Sequence, residues 1–150
     1  MYLTLVFLHS WLRWLLIVLA IAAVAQALLG FLSKKDYTQA NNRISAGFIG
    51  TMHLQLVIGL LLYFVYSPLG LPLFSQSIKA VMKNPDNRFW AVEHISTMLV
   101  AVIIAQIGRS AGKKAKTDTK RFRMELIFFG IAMALVLISI PWSSRPWLRF

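Results

Sequence analysis

Four long apolar stretches, about 3–32, 44–66, 89–108 and 126–142, fill most of this chain. A helix crosses the hydrocarbon core of a bilayer with about 20 mostly apolar residues, roughly 17 at the least. Lipid offers no partner to backbone polar groups, so such a stretch has to be helical there. The chain has 150 residues, of which 58% are hydrophobic and 14% charged. A soluble interior of that size cannot hide so much apolar surface. Disorder is excluded by the same figures. The absence of cysteine excludes a disulfide scaffold and Cys-ligated zinc or iron–sulfur sites. The expected fold is an all-α membrane protein: one domain over 1–150, a four-transmembrane-helix up-down-up-down bundle with short links.

Basic residues set the expected orientation. The first link carries Lys34, Lys35 and Arg43, and the third carries Arg109, Lys113, Lys114, Lys116, Lys120, Arg121 and Arg123. Lys79, Lys83 and Arg88 in the middle link, with Arg145 and Arg149 in the tail, make half as many on the other side. Both termini and the middle link are therefore expected to be periplasmic, in a bacterial inner membrane. Trp11, Trp14, Tyr63, Tyr66, Trp90, Trp142 and Trp147 fall where interfacial aromatic belts form. The net charge of +11 would suggest nucleic acid in a soluble protein. Here the basic run lies between two spans and lacks interleaved aromatics apart from Phe122, so it reads as a lipid-headgroup anchor and no nucleic-acid partner is expected.

The run after Arg13 resembles a signal peptide, but the segment before it is apolar rather than a polar leader, so the first helix is expected to be retained. In the middle link, the pattern over 73–83 fits either a short helix on the outer leaflet or a loop.

Ionisable residues inside spans are costly in lipid and mark candidate sites. They are His9 and Arg13 in the first stretch, His53 in the second, and Glu93 and His94 in the third, with Glu125 at the cytoplasmic end of the fourth. All three histidines of the chain lie in spans. At helical spacing His9 shares a face with Arg13, Leu16, Ala20, Ala23, Ala27 and Gly30, and His94 with Ala91, Met98, Ala101, Ala105 and Gly108. His53 shares one with Ala46, Gly50, Val57 and Leu60. Small residues mark helix–helix contact in membranes, so all three are expected to face the interior.

Three inward histidines on separate helices can serve as interhelical hydrogen-bonding groups, or can hold a cofactor between helices. Two imidazoles suit the axial positions of a haem iron, and small neighbours leave room for the macrocycle. Without cysteine the haem would be non-covalent, of b type. Matching depths favour His9–His94 as the axial pair, with His53 an alternative ligand. Arg13 and Glu93 form either an ion pair or contacts to haem propionates or quinone. A three-histidine zinc or copper site, with Glu93, needs all ligands at one depth.

The segments His9-Ser10-Trp11-Leu12-Arg13-Trp14, His53-Leu54-Gln55-Leu56 with Gly59 and Leu62-Tyr63-Phe64, and Trp90-Ala91-Val92-Glu93-His94-Ile95-Ser96-Thr97-Met98 resemble small four-helix bacterial membrane proteins, many from Bacteroidetes, labelled cytochrome b-like. The resemblance spans nearly the whole chain. It implies a b-haem membrane cytochrome in which His9, His53 and His94 match the family's histidines. The expected function is electron transfer between quinol or a periplasmic donor and a partner protein, as a single copy or a homo-oligomer. The competing expectations are a non-redox accessory or assembly subunit of a larger membrane complex, and a histidine-ligated metal-dependent membrane enzyme.

Overall fold

Two of the long helices begin where a side chain caps them. Thr38 accepts a hydrogen bond from the Asn41 amide while the Asn41 side chain caps Thr38 in return, and Thr117 accepts from the Lys120 amide. Such caps satisfy first-turn N–H groups that have no partner within the helix. The computed structural model describes residues 1–75 and 77–142, and no strand occurs among them. Its elements are α1 (Tyr2–Leu32), α2 (Gln39–Leu61), α3 (Ile78–Lys83), α4 (Pro85–Arg88), α5 (His94–Lys113) and α6 (Asp118–Ile138). A π-helical turn, Leu62–Tyr66, prolongs α2; another, Phe89–Glu93, joins α4 to α5; and Leu71–Ser75 is a 3-10 turn.

Three helical stretches are long and apolar enough to cross a membrane: Tyr2–Leu32, Gln39–Ser75 and Pro85–Lys113. The expected fourth crossing, 126–142, is displaced. α6 starts within the basic link at Asp118 and stops at Ile138. Its first two turns carry Lys120, Arg121, Arg123 and Glu125, which shortens its apolar run. The third link accordingly shrinks to four residues between Lys113 and Asp118. Lys and Arg are good helix formers, so the charged segments extend the helices rather than interrupt them. The middle link contains α3 and α4, while Arg145, Trp147 and Arg149 lie outside the described residues.

The four long helices form a ring in which α1 packs on α2 and α6, and α5 on the same two. α1 and α5 are thus diagonal. Their inward faces are mostly small: after Leu16, Ala20, Ala23, Ala27 and Gly30 on α1, and Ala101, Ala105, Gly108 and Gly112 beside Arg109 on α5. These are the faces the small-residue spacing predicts. The space between them is filled from the other diagonal by Phe48 and Phe129, fully buried, with ring centroids 5.1 Å apart. Van der Waals fit holds such a core, because lipid tails are as apolar as the side chains. Gly108 is required by this fit: a Cβ there would collide with the Phe128 side chain on α6.

α2 departs from expectation. Its buried residues are Ser45, Phe48, Ile49, Met52 and Gln55, whereas Ala46, Gly50, His53 and Val57 are exposed. Small residues did not mark its inner face, because α2 supplies bulk to a core whose small partners are on α1 and α5.

The end of the bundle at the α1–α2 and α5–α6 links is closed by a buried polar network. Glu125, wholly buried, accepts hydrogen bonds from the Tyr37 hydroxyl (2.8 and 3.0 Å) and the Ser45 hydroxyl (2.7 Å), and pairs with Arg109 at 3.4 Å. Asn42 Oδ1 accepts from both Arg109 and Arg121. Arg121 also lies over the Tyr37 ring, 3.6 Å from its centroid. Arg109 and Arg121, expected among the headgroup anchors, instead point inward to this carboxylate.

Burial and the Glu125 carboxylate push the Tyr37 phenol above its usual value, against an opposing pull from Ser45 and Arg121. A neutral acid whose native pKa is raised contributes stability that is complete below the unfolded value, about 10 for tyrosine. That contribution disappears as pH rises toward the raised value. Thermal unfolding in detergent should therefore show a loss of stability above about pH 10 that is smaller in Tyr37→Phe. Equal alkaline losses in both proteins would contradict the role given to this phenol.

Candidate functional site

The other end of the bundle is looser. The two π-turns face each other there, tied by the Tyr63 hydroxyl, which donates to the Ala91 carbonyl at 2.9 Å. A π-turn takes one more residue than an α-turn and so re-aims the side chains beyond it; such turns cluster at functional sites. The second of them decides the fate of Glu93. Glu93 lies five positions after Arg88, an offset the wider turn brings to one side, and their side chains pair at 2.6 Å on the surface. The expected Arg13–Glu93 pair is therefore replaced by Arg88–Glu93. Glu93 is exposed, away from the interior.

Between these turns and α1 lies a cavity of about 170 Å³, whose walls include His9, Arg13, Gln55, Tyr63, Trp90 and His94. His9 descends from α1 and His94 from α5, and their rings stand edge to face with centroids 6.4 Å apart. The packing brings these two residues together across the cavity.

Each ring has a different setting. His94 Nδ1 lies 3.0 Å from the Ser139 carbonyl oxygen, so that nitrogen carries the proton and Nε2 keeps its lone pair. Ser139 is the C-cap of α6, and its carbonyl is one of the end groups a helix leaves without an internal partner. The His9 ring rests against α2 at Gly59, where any Cβ would stand 3.3 Å from His9 Cε1. His9 Nδ1 is buried without a hydrogen-bond partner among the described residues. Arg13, one turn along α1, lines the same cavity and stacks on Trp14 at 5.3 Å.

His53 is not part of this site. It is exposed on the outer face of α2, its Nδ1 bonded to the Ile49 carbonyl of its own helix at 2.8 Å. The α2 positions level with His9 are Gln55 and Gly59, so His53 is on the wrong face and precedes both along the helix. Among the described residues no group of three His, Cys, Asp or Glu is placed to hold a metal ion, which removes the three-histidine zinc or copper site. Two site residues escaped the sequence reading, Gln55 and Ser139. Ser139 acts through its backbone, which no side-chain pattern reveals. Gln55 could have been found as an amide at the centre of the second apolar span.

The donor set suits a haem iron. His9 and His94 would be the residues to hold such an iron, each through a ring nitrogen. A histidine ligand also commonly donates its second nitrogen to a carbonyl, as His94 does. The cavity volume itself is close to the ~150 Å³ that accepts one benzene ring. A macrocycle needs more, and the pliable wall residues Met52 and Met98 are those best able to yield. Comparison with protein families, with curated proteins and with solved structures finds no match to this chain.

Proposed function

We propose that this chain is an integral membrane cytochrome that holds one b-type haem through His9 and His94. One observation carries the reading: these rings stand 6.4 Å apart in one cavity, and the His94 lone pair is left free by the bond to Ser139. The use of histidines as interhelical glue explains His94 but not His9, whose buried Nδ1 bonds nothing among the described residues.

A bound haem would supply a one-electron couple. The chain's own residues would set its position and accessibility. His94 is fixed in orientation by the end of α6. Arg13 places a cation beside the cavity, suited to carboxylate groups. Held by two histidines, the haem would be suited to electron transfer rather than oxygen chemistry. The resemblance to cytochrome b-like membrane proteins supports the same reading, with quinol or a periplasmic donor on one side and a partner protein on the other.

The same proposal makes α6 a fourth crossing, packed along α1 and α5. It puts both termini and the cavity on the periplasmic side of a bacterial inner membrane. The basic residues at the α1–α2 and α5–α6 links support that orientation.

A reduced-minus-oxidised absorption spectrum of the purified protein, expressed with ample haem, tests the reading. A low-spin b-type α band is expected. Its absence would overturn the proposal in favour of a second reading, which the cavity volume supports: a single-ring ligand such as a quinone headgroup. Solvent extraction of the same preparation would then release a quinone in stoichiometric amount.

A further inference from the structure

Gln55 is the polar side chain nearest the His9 end of α2, and it is 8% exposed. Its Nε2 donates to the His9 backbone carbonyl at 2.9 Å. Its Oε1 is buried and has no hydrogen-bond partner among the described residues. Turning the amide over offers no cure, because the oxygen would then face the His9 carbonyl oxygen, acceptor against acceptor. The amide is thus held with its oxygen unsatisfied.

The imidazole nitrogen left unsatisfied in this site is His9 Nδ1. Gly59, one helical turn beyond Gln55, would place a Cβ 3.3 Å from His9 Cε1 and 3.9 Å from His9 Nδ1. The Cε1–Nδ1 edge of the ring therefore faces α2, the helix that carries Gln55. At this α1–α2 contact His9 Nδ1 and Gln55 Oε1 are thus both buried and without a partner among the described residues. The other histidine has no such deficit, since Ser139 already accepts from its Nδ1.

We infer that Gln55 is a positioning residue for His9, its Oε1 serving as the acceptor for the His9 Nδ1–H when Nε2 is engaged as a ligand. The inference rests on the haem reading above. It makes the two imidazoles equivalent: each donates Nδ1–H to a carbonyl oxygen, one from the backbone of Ser139 and one from the Gln55 side chain. Such a hydrogen bond fixes the tautomer and raises the basicity of the ligand nitrogen. A more basic ligand favours the ferric over the ferrous iron and lowers the potential.

Redox titration of the haem-loaded protein tests this with Gln55→Leu and Gln55→Glu. Loss of an outer partner of this kind commonly costs 10–100-fold in ligand strength. At the lower figure, Gln55→Leu should weaken the hold on ferric relative to ferrous haem about tenfold, raising the midpoint potential by about 59 mV for a one-electron couple. Gln55→Glu, a stronger acceptor, should lower it. Both variants lose the bond to the His9 carbonyl, so a merely structural effect would shift the two in the same direction. Should Gln55→Leu fail to accumulate, the sign of the Gln55→Glu shift decides. An unmoved potential, or shifts of one sign, overturns the role of Gln55 while leaving the haem reading intact. A wild-type protein that binds no haem overturns both.

Discussion

Glu125→Ala should cost the folded protein about 3–5 kcal/mol, enough to threaten a small domain. The carboxylate is wholly buried, and the Arg109 side chain opposite it is only 6% exposed. Removing Glu125 leaves that guanidinium with Asn42 as its remaining partner and deprives the Tyr37 and Ser45 hydroxyls of their shared acceptor. The loss therefore comes from the charge left behind more than from the pair itself. A double variant, Glu125→Leu with Arg109→Met, should for that reason recover most of what the single change loses. Denaturant titration in detergent micelles measures both. Because the network lies at the end of the bundle away from His9 and His94, ligand binding per folded molecule should stay unchanged in each. A Glu125→Ala protein within about 1 kcal/mol of wild type would contradict the account of this network.

That network also marks where sequence reasoning stopped. Glu125, Arg109 and Arg121 are visible as charges, and counting them gives an orientation. Nothing in their spacing says that two of the arginines leave the headgroups to meet the carboxylate. The contact joins α5 to α6 and recruits Tyr37 from a loop 88 residues away in the chain. A single helical face does not encode a meeting of four segments. The inward faces of α1 and α5 were legible for the opposite reason: each is a stripe of alanine and glycine at regular spacing, and the same stripe is buried. α2 has small residues too, but Ala46 and Gly50 lie outside and Phe48 inside. Once two diagonal helices are small-faced, the other two must carry the bulk. That rule belongs to the assembled bundle and is invisible in any one helix.

The site divides in the same way. His9 and His94 could be matched in depth from the ends of their spans, and the cavity brings their rings together. Glu93 could not be placed, because the π-turn that rotates it toward Arg88 has no periodic signature. His53 failed with the face of α2 to which it belongs.

These placements give the three histidines sharply different expected effects. His9→Ala or His94→Ala should abolish the low-spin spectrum and lower haem retention by at least the 10–100-fold that outer partners of a metal ligand command. On the reading proposed above, either change removes one of the two residues that would hold the haem and widens a cavity already at the scale of a small ligand. His94→Ala should also reduce stability, because it frees the Ser139 carbonyl at the end of α6. His53→Ala should leave spectrum and haem content at wild-type levels, since among the described residues its ring bonds within its own helix and faces outward. Spectra and pyridine-haem assays on the three purified variants, with circular dichroism to verify helix content, separate these outcomes. If His53→Ala loses the spectrum while His9→Ala keeps it, the ligand comes from the outer face of α2. The haem would then lie between chains or against lipid rather than within the bundle, and the pairing of His9 with His94 would have no part in binding it.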